Sequence, residues 1–201
     1  LERLLRALAA CVLLGLAALG TLPAMADVAT DITQMRLERT EEGVFLSATM
    51  RFDLPAVVED ALVKGIAMYF VAEAEVYRDR WYWYDKKLAT TTRHMRLSYQ
   101  PLTRRWRLNT GPSPISNTGL GVTLGQNFES LNEAMSAIKR ISGWKVAEAA
   151  DIEPDSRHNV DFRFRLDVAQ LPRPFQIGAV GQPDWRIAAA RNQRLTVESA
   201  P

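Results

Sequence analysis

The segment Val44-Phe45-Leu46-Ser47-Ala48-Thr49-Met50-Arg51-Phe52-Asp53 decides the class of fold. Val44, Leu46, Ala48, Met50 and Phe52 fall at every second position, with Ser47, Thr49, Arg51 and Asp53 between them. A period of two belongs to a strand with one face buried and one in water. Residues 27–39, with Ile32, Met35 and Leu37 among polar neighbours, predict a strand before it. Thr40-Glu41-Glu42-Gly43 supplies the turn, so the pair reads as a hairpin.

The alternation recurs downstream. Residues 66–78 place Met68, Phe70, Ala72, Ala74 and Val76 on one face, with Tyr69, Val71, Glu73, Glu75 and Tyr77 on the other. Further strands are predicted at 90–99, 104–109, 144–147, 160–168 and 185–197, the last interrupted by Ala188-Ala189-Ala190. Residues 111–125, rich in Gly, Pro, Ser and Asn, read as the longest loop. Leu171-Pro172-Arg173-Pro174-Phe175 reads as an edge or crossing segment, because proline cannot donate to a ladder.

Two helices are expected. One follows Asp53-Leu54-Pro55 and stops at Gly65, with Val57, Val58, Ala61 and Leu62 on its apolar side. The other spans 128–141, with Phe128, Leu131, Ala134, Met135 and Ile138 as a stripe and Ser130 with Glu133 as a capping box. The sum is a mainly β, α+β domain: an antiparallel β-sandwich of seven or eight strands with two short helices. The alternative is a single twisted antiparallel sheet with both helices on one face.

The 201 residues, 47% of them hydrophobic, suit one domain with a sizeable core. Arg3 and Arg6, the apolar run 7–19 and Ala24-Met25-Ala26 form a secretory signal. Cleavage after Ala26 leaves 27–201 as a single β-rich periplasmic domain. The alternatives are an inner-membrane anchor from an uncleaved segment and lipidation at Cys11, the only cysteine. Export removes the chain from nucleic acid, and the net charge of +2 gives no bulk attraction to it either.

Arg78-Asp79-Arg80-Trp81-Tyr82-Trp83-Tyr84-Asp85 is the heaviest aromatic run, followed by Lys86 and Lys87. It is either a packing anchor, with at least one of Trp81 and Trp83 in the core, or an exposed platform. Between positions 78 and 107 nine basic residues face two acids, leaving +7, whereas 41–75 carries −5. One reading is neutralising ladders, such as Glu73 or Glu75 against Arg96. The other is a basic-aromatic face of Arg78, Arg80, Trp81, Tyr82, Trp83, Tyr84, Lys86, Lys87, Arg96, Arg105 and Arg107 that meets an anionic partner.

Catalytic chemistry finds little support. His94 and His158 are the only histidines, far apart and without cysteine ligands, so no metal or cofactor is expected. Both read as solvated, His94 on the strand face of Arg96 and His158 in the turn 155–159. Ser113 sits in no nucleophile elbow, and Gly119-Leu120-Gly121-Val122-Thr123-Leu124-Gly125 lacks a phosphate-loop lysine. Glu73 and Glu75 share one strand face, where glycoside hydrolysis needs acids across a cleft.

Several segments together resemble an exported proteobacterial family, domain of unknown function 4390. They are Arg51-Phe52-Asp53-Leu54-Pro55, Glu59-Asp60-Ala61-Leu62-Val63-Lys64-Gly65-Ile66, Arg80-Trp81-Tyr82-Trp83-Tyr84-Asp85, Leu97-Ser98-Tyr99 and Ala169-Gln170-Leu171-Pro172-Arg173-Pro174-Phe175-Gln176. The sequence departs from that pattern after Asp184-Trp185, where alanines replace expected tryptophan. The resemblance implies a periplasmic or membrane-associated protein encoded near a nitrogen-regulation-type membrane sensor kinase. It names no catalytic residue. The expected function is therefore a non-enzymatic envelope domain that binds a protein partner such as that sensor kinase. The alternatives are a carbohydrate- or cell-wall-acting enzyme using carboxylates near the aromatic stretch, and a module binding an anionic membrane surface.

Overall fold

A computed structural model describes residues 30–80, 84–115, 123–153, 156–179 and 181–196. Nine strands are present among them: β1 (Asp31–Thr40), β2 (Gly43–Arg51), β3 (Met68–Arg78), β4 (Lys86–Gln100), β5 (Arg105–Gly111), β6 (Leu124–Phe128), β7 (Arg140–Glu148), β8 (His158–Leu166) and β9 (Ala188–Leu195). Three α-helices join them: α1 (Ala56–Val63), α2 (Leu131–Ile138) and α3 (Arg173–Ala179). The strands form two antiparallel sheets, ordered β1-β2-β7 and β6-β5-β4-β3-β8-β9.

The two-sheet arrangement follows from the alternation. Val44, Leu46, Ala48 and Met50 of β2 are buried, as are Val160, Phe162, Phe164 and Leu166 of β8. These faces meet in one core, whose centre is a cluster of three rings. Phe52 lies 6.1 Å from Phe70 and 5.5 Å from Phe164, and Phe70 lies 5.8 Å from Phe164. Central strand β3, flanked by β4 and β8, buries Tyr69 and Val71 on its second face as well. Cross-sheet hydrogen bonds tie the layers: Thr91 Oγ1 donates to Val146 O at 3.1 Å, and Arg191 Nη1 donates to Ile32 O at 2.8 Å.

Three strands cannot cover six. Beyond β7 the exposed half of the large sheet is met by α2, whose Ala134, Met135 and Ile138 are buried. Ser130 Oγ accepts from Glu133 N at 3.2 Å, as the capping pattern predicts. The Glu133 carboxylate accepts instead from Glu129 N, one residue earlier than the usual reciprocal bond.

Some boundaries differ from the sequence reading. Residues 124–128 pair with β5 as the edge strand β6 rather than forming loop and helix start. The expected helix 128–141 is shorter, because residues 140–143 open β7. The Leu171-Pro172-Arg173-Pro174-Phe175 segment leads into α3 instead of running along an edge. Proline suits a first helical turn, where its missing N–H would have no partner. The alanines 188–190 begin β9, where Ala189 and Ala190 face Phe164 and Arg163.

Candidate functional site

The outer face of the large sheet carries a charge cluster on β3. Register places Glu73 opposite Arg163 and Glu75 opposite Asp161 of β8. Arg163 Nη1 lies 3.5 Å from Glu73 and 3.3 Å from Glu75. Lys87 pairs with the other oxygen of Glu75, and Tyr77 donates its hydroxyl to Glu75 Oε2 at 2.8 Å. Glu75 is only 6% exposed. The hydrogen bond from Lys87, then that from Tyr77, holds its carboxyl below the usual range against the opposing effect of burial. Donating to Glu75 in turn pushes the Tyr77 hydroxyl up. An ionised, fully engaged carboxylate is a poor general acid. Both glutamates share one strand face and one arginine, so they do not flank a substrate cleft. Their arginine is Arg163 rather than the expected Arg96, whose Nε donates to Tyr69 Oη at 3.4 Å. Among the described residues no group of three or more His, Cys, Asp or Glu side chains could hold a metal.

The residues of the basic-aromatic set separate into two places. Arg78, at the end of β3, pairs with Glu153, while Lys87 is engaged by Glu75. The Arg80 backbone N–H donates to Asp85 Oδ1 at 3.2 Å. Tyr84 stands 88% exposed, and Arg80 and Lys86 are exposed too. Trp81, Tyr82 and Trp83 lie outside the described residues, as do Ala24, Ala26 and Cys11. The second place is the far end of the sheet. Positions 87 and 96 of β4 are separated by roughly 30 Å at the strand rise. There Arg96 stands opposite Asn109, and Arg107 opposite Ser98 and Asn127. Arg105 faces Gln100. Arg105 and Arg107 are exposed. Among the described residues no acidic group forms an ion pair with Arg96, Arg105 or Arg107.

The histidines are less solvated than the sequence suggests. His94 does share the outer face with Arg96, but it is half-buried and burial pushes its pKa down, with Asp167 opposing. His158 opens β8 on the inner face and is 2% exposed. Burial, reinforced by the charge of Arg39, lowers its pKa as well.

A second feature was not legible as a site. Where β7 and α2 part from β4, β5 and β6, a cleft of about 480 Å³ opens between the layers. Met95, Leu108, Leu124 and Ile141 give it an apolar lining, and Thr91, Thr110 and Gln126 add hydroxyl and amide groups. Arg93 enters it from β4, its guanidinium carbon 5.1 Å from the centre of the Trp144 ring on β7. Arg140 completes the wall. One signal could have found Arg93: it has the same strand parity as Met95, Leu97 and Tyr99, the residues expected to face inward.

Fold and site together define a class: an antiparallel two-sheet domain with a charged outer face and an arginine-bearing cleft between its layers. The chain belongs to the family described as Domain of unknown function (DUF4390), which matches residues 28–195. No curated protein and no solved structure matches it.

Proposed function

We propose that the protein is an exported, non-enzymatic envelope domain that binds a protein partner through the outer face of β4, β5 and β6. The observation that carries this reading is the grouping of Arg96, Arg105 and Arg107 in adjacent register, with no ion-pair partner among the described residues. Arginines on a sheet face without ion-pair partners attract acidic surfaces, and their planar forks favour carboxylates. The signal-like segment before residue 27 supports export, and the periplasmic face of a membrane sensor kinase is the partner of choice. Cell-wall hydrolysis is the weaker reading, since Glu73 and Glu75 are both engaged by Arg163.

The test is capture from envelope extract by the purified protein, compared with an Arg105→Glu, Arg107→Glu variant. A discrete partner should be retained by the wild type, released by salt and lost with the reversed charges. Equal capture by both proteins would refute the reading. N-terminal sequencing of protein from the periplasm should begin at Asp27; a start at Cys11 carrying lipid would refute cleavage after Ala26.

A further inference from the structure

The inter-sheet cleft has a composition that the outer face does not explain. Strands β4, β5, β6 and β7 and helix α2 wall it, so its shape is set largely by backbone. Its volume, about 480 Å³, lies within the range of roughly 300–1,000 Å³ typical of small-molecule sites. Apolar side chains dominate, yet two arginines enter, and no carboxylate among the described residues lines it. Among the described residues neither Arg93 nor Arg140 has an ion-pair partner. The segment 116–122, which connects the β5 and β6 walls, contains no Asp or Glu to supply one.

Arg93 is costly in this position. Burial disfavours its charged form, and the ring of Trp144 compensates only one face of the guanidinium. The N–H groups lie in the plane of the guanidinium, at its edge, where a carboxylate accepts two parallel hydrogen bonds. A half-buried guanidinium beside an apolar lining therefore matches a ligand that carries one anionic head and one apolar body.

We propose that this cleft binds a single-chain fatty acid, its carboxylate on Arg93 and its chain along Met95, Leu108, Leu124 and Ile141. Arg140 adds a second positive charge to the wall. The site is independent of the arginines on the outer face, so either can fail without the other.

The experiment titrates the purified protein with dodecanoate below its micellar range, by calorimetry and by tryptophan fluorescence. Dodecanol and dodecyl phosphate serve as probes of the head group. Saturable one-to-one binding of dodecanoate is expected, with dodecanol weaker by about tenfold or more, the usual worth of a charge-assisted bond. Arg93→Gln should weaken dodecanoate by a similar factor. Leu124→Glu provides the fold-neutral control, since Leu124 is 75% exposed. It should place a repelling carboxylate at the cleft and also weaken binding, with an unchanged circular dichroism spectrum. Five results would each overturn the proposal: no saturable binding, dodecanol binding as tightly as dodecanoate, tighter binding of dodecyl phosphate, wild-type affinity in Leu124→Glu, or wild-type affinity in a folded Arg93→Gln. Should Arg93→Gln not fold, the head-group comparison and Leu124→Glu decide alone.

Discussion

The hydroxyl of Tyr77 donates to the carboxylate of Glu75 at 2.8 Å, two positions back on the same face of β3. Lys87 from β4 and Arg163 from β8 close on the same carboxylate, so one side chain joins three strands. Glu75→Gln should therefore destabilise the fold by about 1–2 kcal/mol, the worth of charge-assisted bonds lost to partners that can rehydrate. Lys87 and Arg163 are 50% and 52% exposed, which keeps the loss below that of a fully buried pair. Urea denaturation at neutral pH measures it. The stabilisation should also vanish in acid. A carboxylate held below its ordinary 4.5 contributes stability above that value and loses it as pH falls through the folded pKa. Wild type and variant should then converge. A constant difference down to low pH would show that packing, not charge, accounts for the effect.

His158 governs a higher pH window. Its side chain is 2% exposed, and among the described residues Nε2 has no hydrogen-bond partner. Burial holds its pKa below the ordinary 6.5. The unfolded chain thus binds the proton first, and stability present above 6.5 is lost as pH falls through the folded value. His94 acts in the same direction. Wild-type denaturation midpoints should drop between pH 7 and pH 5. His158→Phe should flatten that slope whatever its absolute stability. Parallel slopes in the two proteins would assign the acid sensitivity to His94 or to carboxylates instead.

The legible parts of the fold are those whose burial alternates. In β8 every second residue from His158 to Leu166 is buried, and 160–168 is readable from Phe162, Phe164 and Leu166 alone. Edge strand β6 carries no such signal, because Leu124, Gly125, Gln126 and Asn127 are all exposed and only pairing with β5 defines them. The ion-pair partner of Glu73 and Glu75 was hidden for another reason. Both β4 and β8 flank β3, and strand order is not written in either strand. The cleft is the extreme case, since it arises from a three-stranded sheet failing to cover a six-stranded one. Arg93 has an inward parity, but only the tertiary gap beside it opens that position to a cleft.

Among the described residues, ring packing centres on three phenylalanines. Phe52, Phe70 and Phe164 are each no more than 1% exposed, and their rings contact across two strands and the segment that follows β2. Phe52→Ala should cost about 3–5 kcal/mol, as large-to-small changes in a packed core do. Tyr84→Ala, at a side chain 88% exposed, should change stability by no more than about 0.5 kcal/mol. Thermal or urea unfolding of the two variants separates the cases, and equal losses would contradict the burial difference.

The β1–β2 turn depends on one residue that cannot carry a side chain. Gly43 has φ +145°, and a Cβ built on it would sit 2.2 Å from the carbonyl oxygen of Ala147 on β7. Backbone, not a flexible side chain, is the obstacle, so one strand end must move. The movement has a direction. Gly43 pairs with Glu148 and Val44 with Ala147, and the ladder already shifts register between Val44 and Phe45. Gly65, after α1, supplies the comparison: its φ is +88°, yet a Cβ added there would meet nothing within 4 Å. Gly65→Ala should cost only the backbone penalty of a left-handed residue, about 1–2 kcal/mol. Gly43→Ala should cost more, because the overlap adds a packing strain of about 1–3 kcal/mol to a similar backbone term. Urea denaturation ranks the two. Because β7 also carries Trp144, displacement of its end should alter tryptophan emission in Gly43→Ala and leave it unchanged in Gly65→Ala. Equal destabilisation with unchanged emission in both would mean that the turn yields without moving β7.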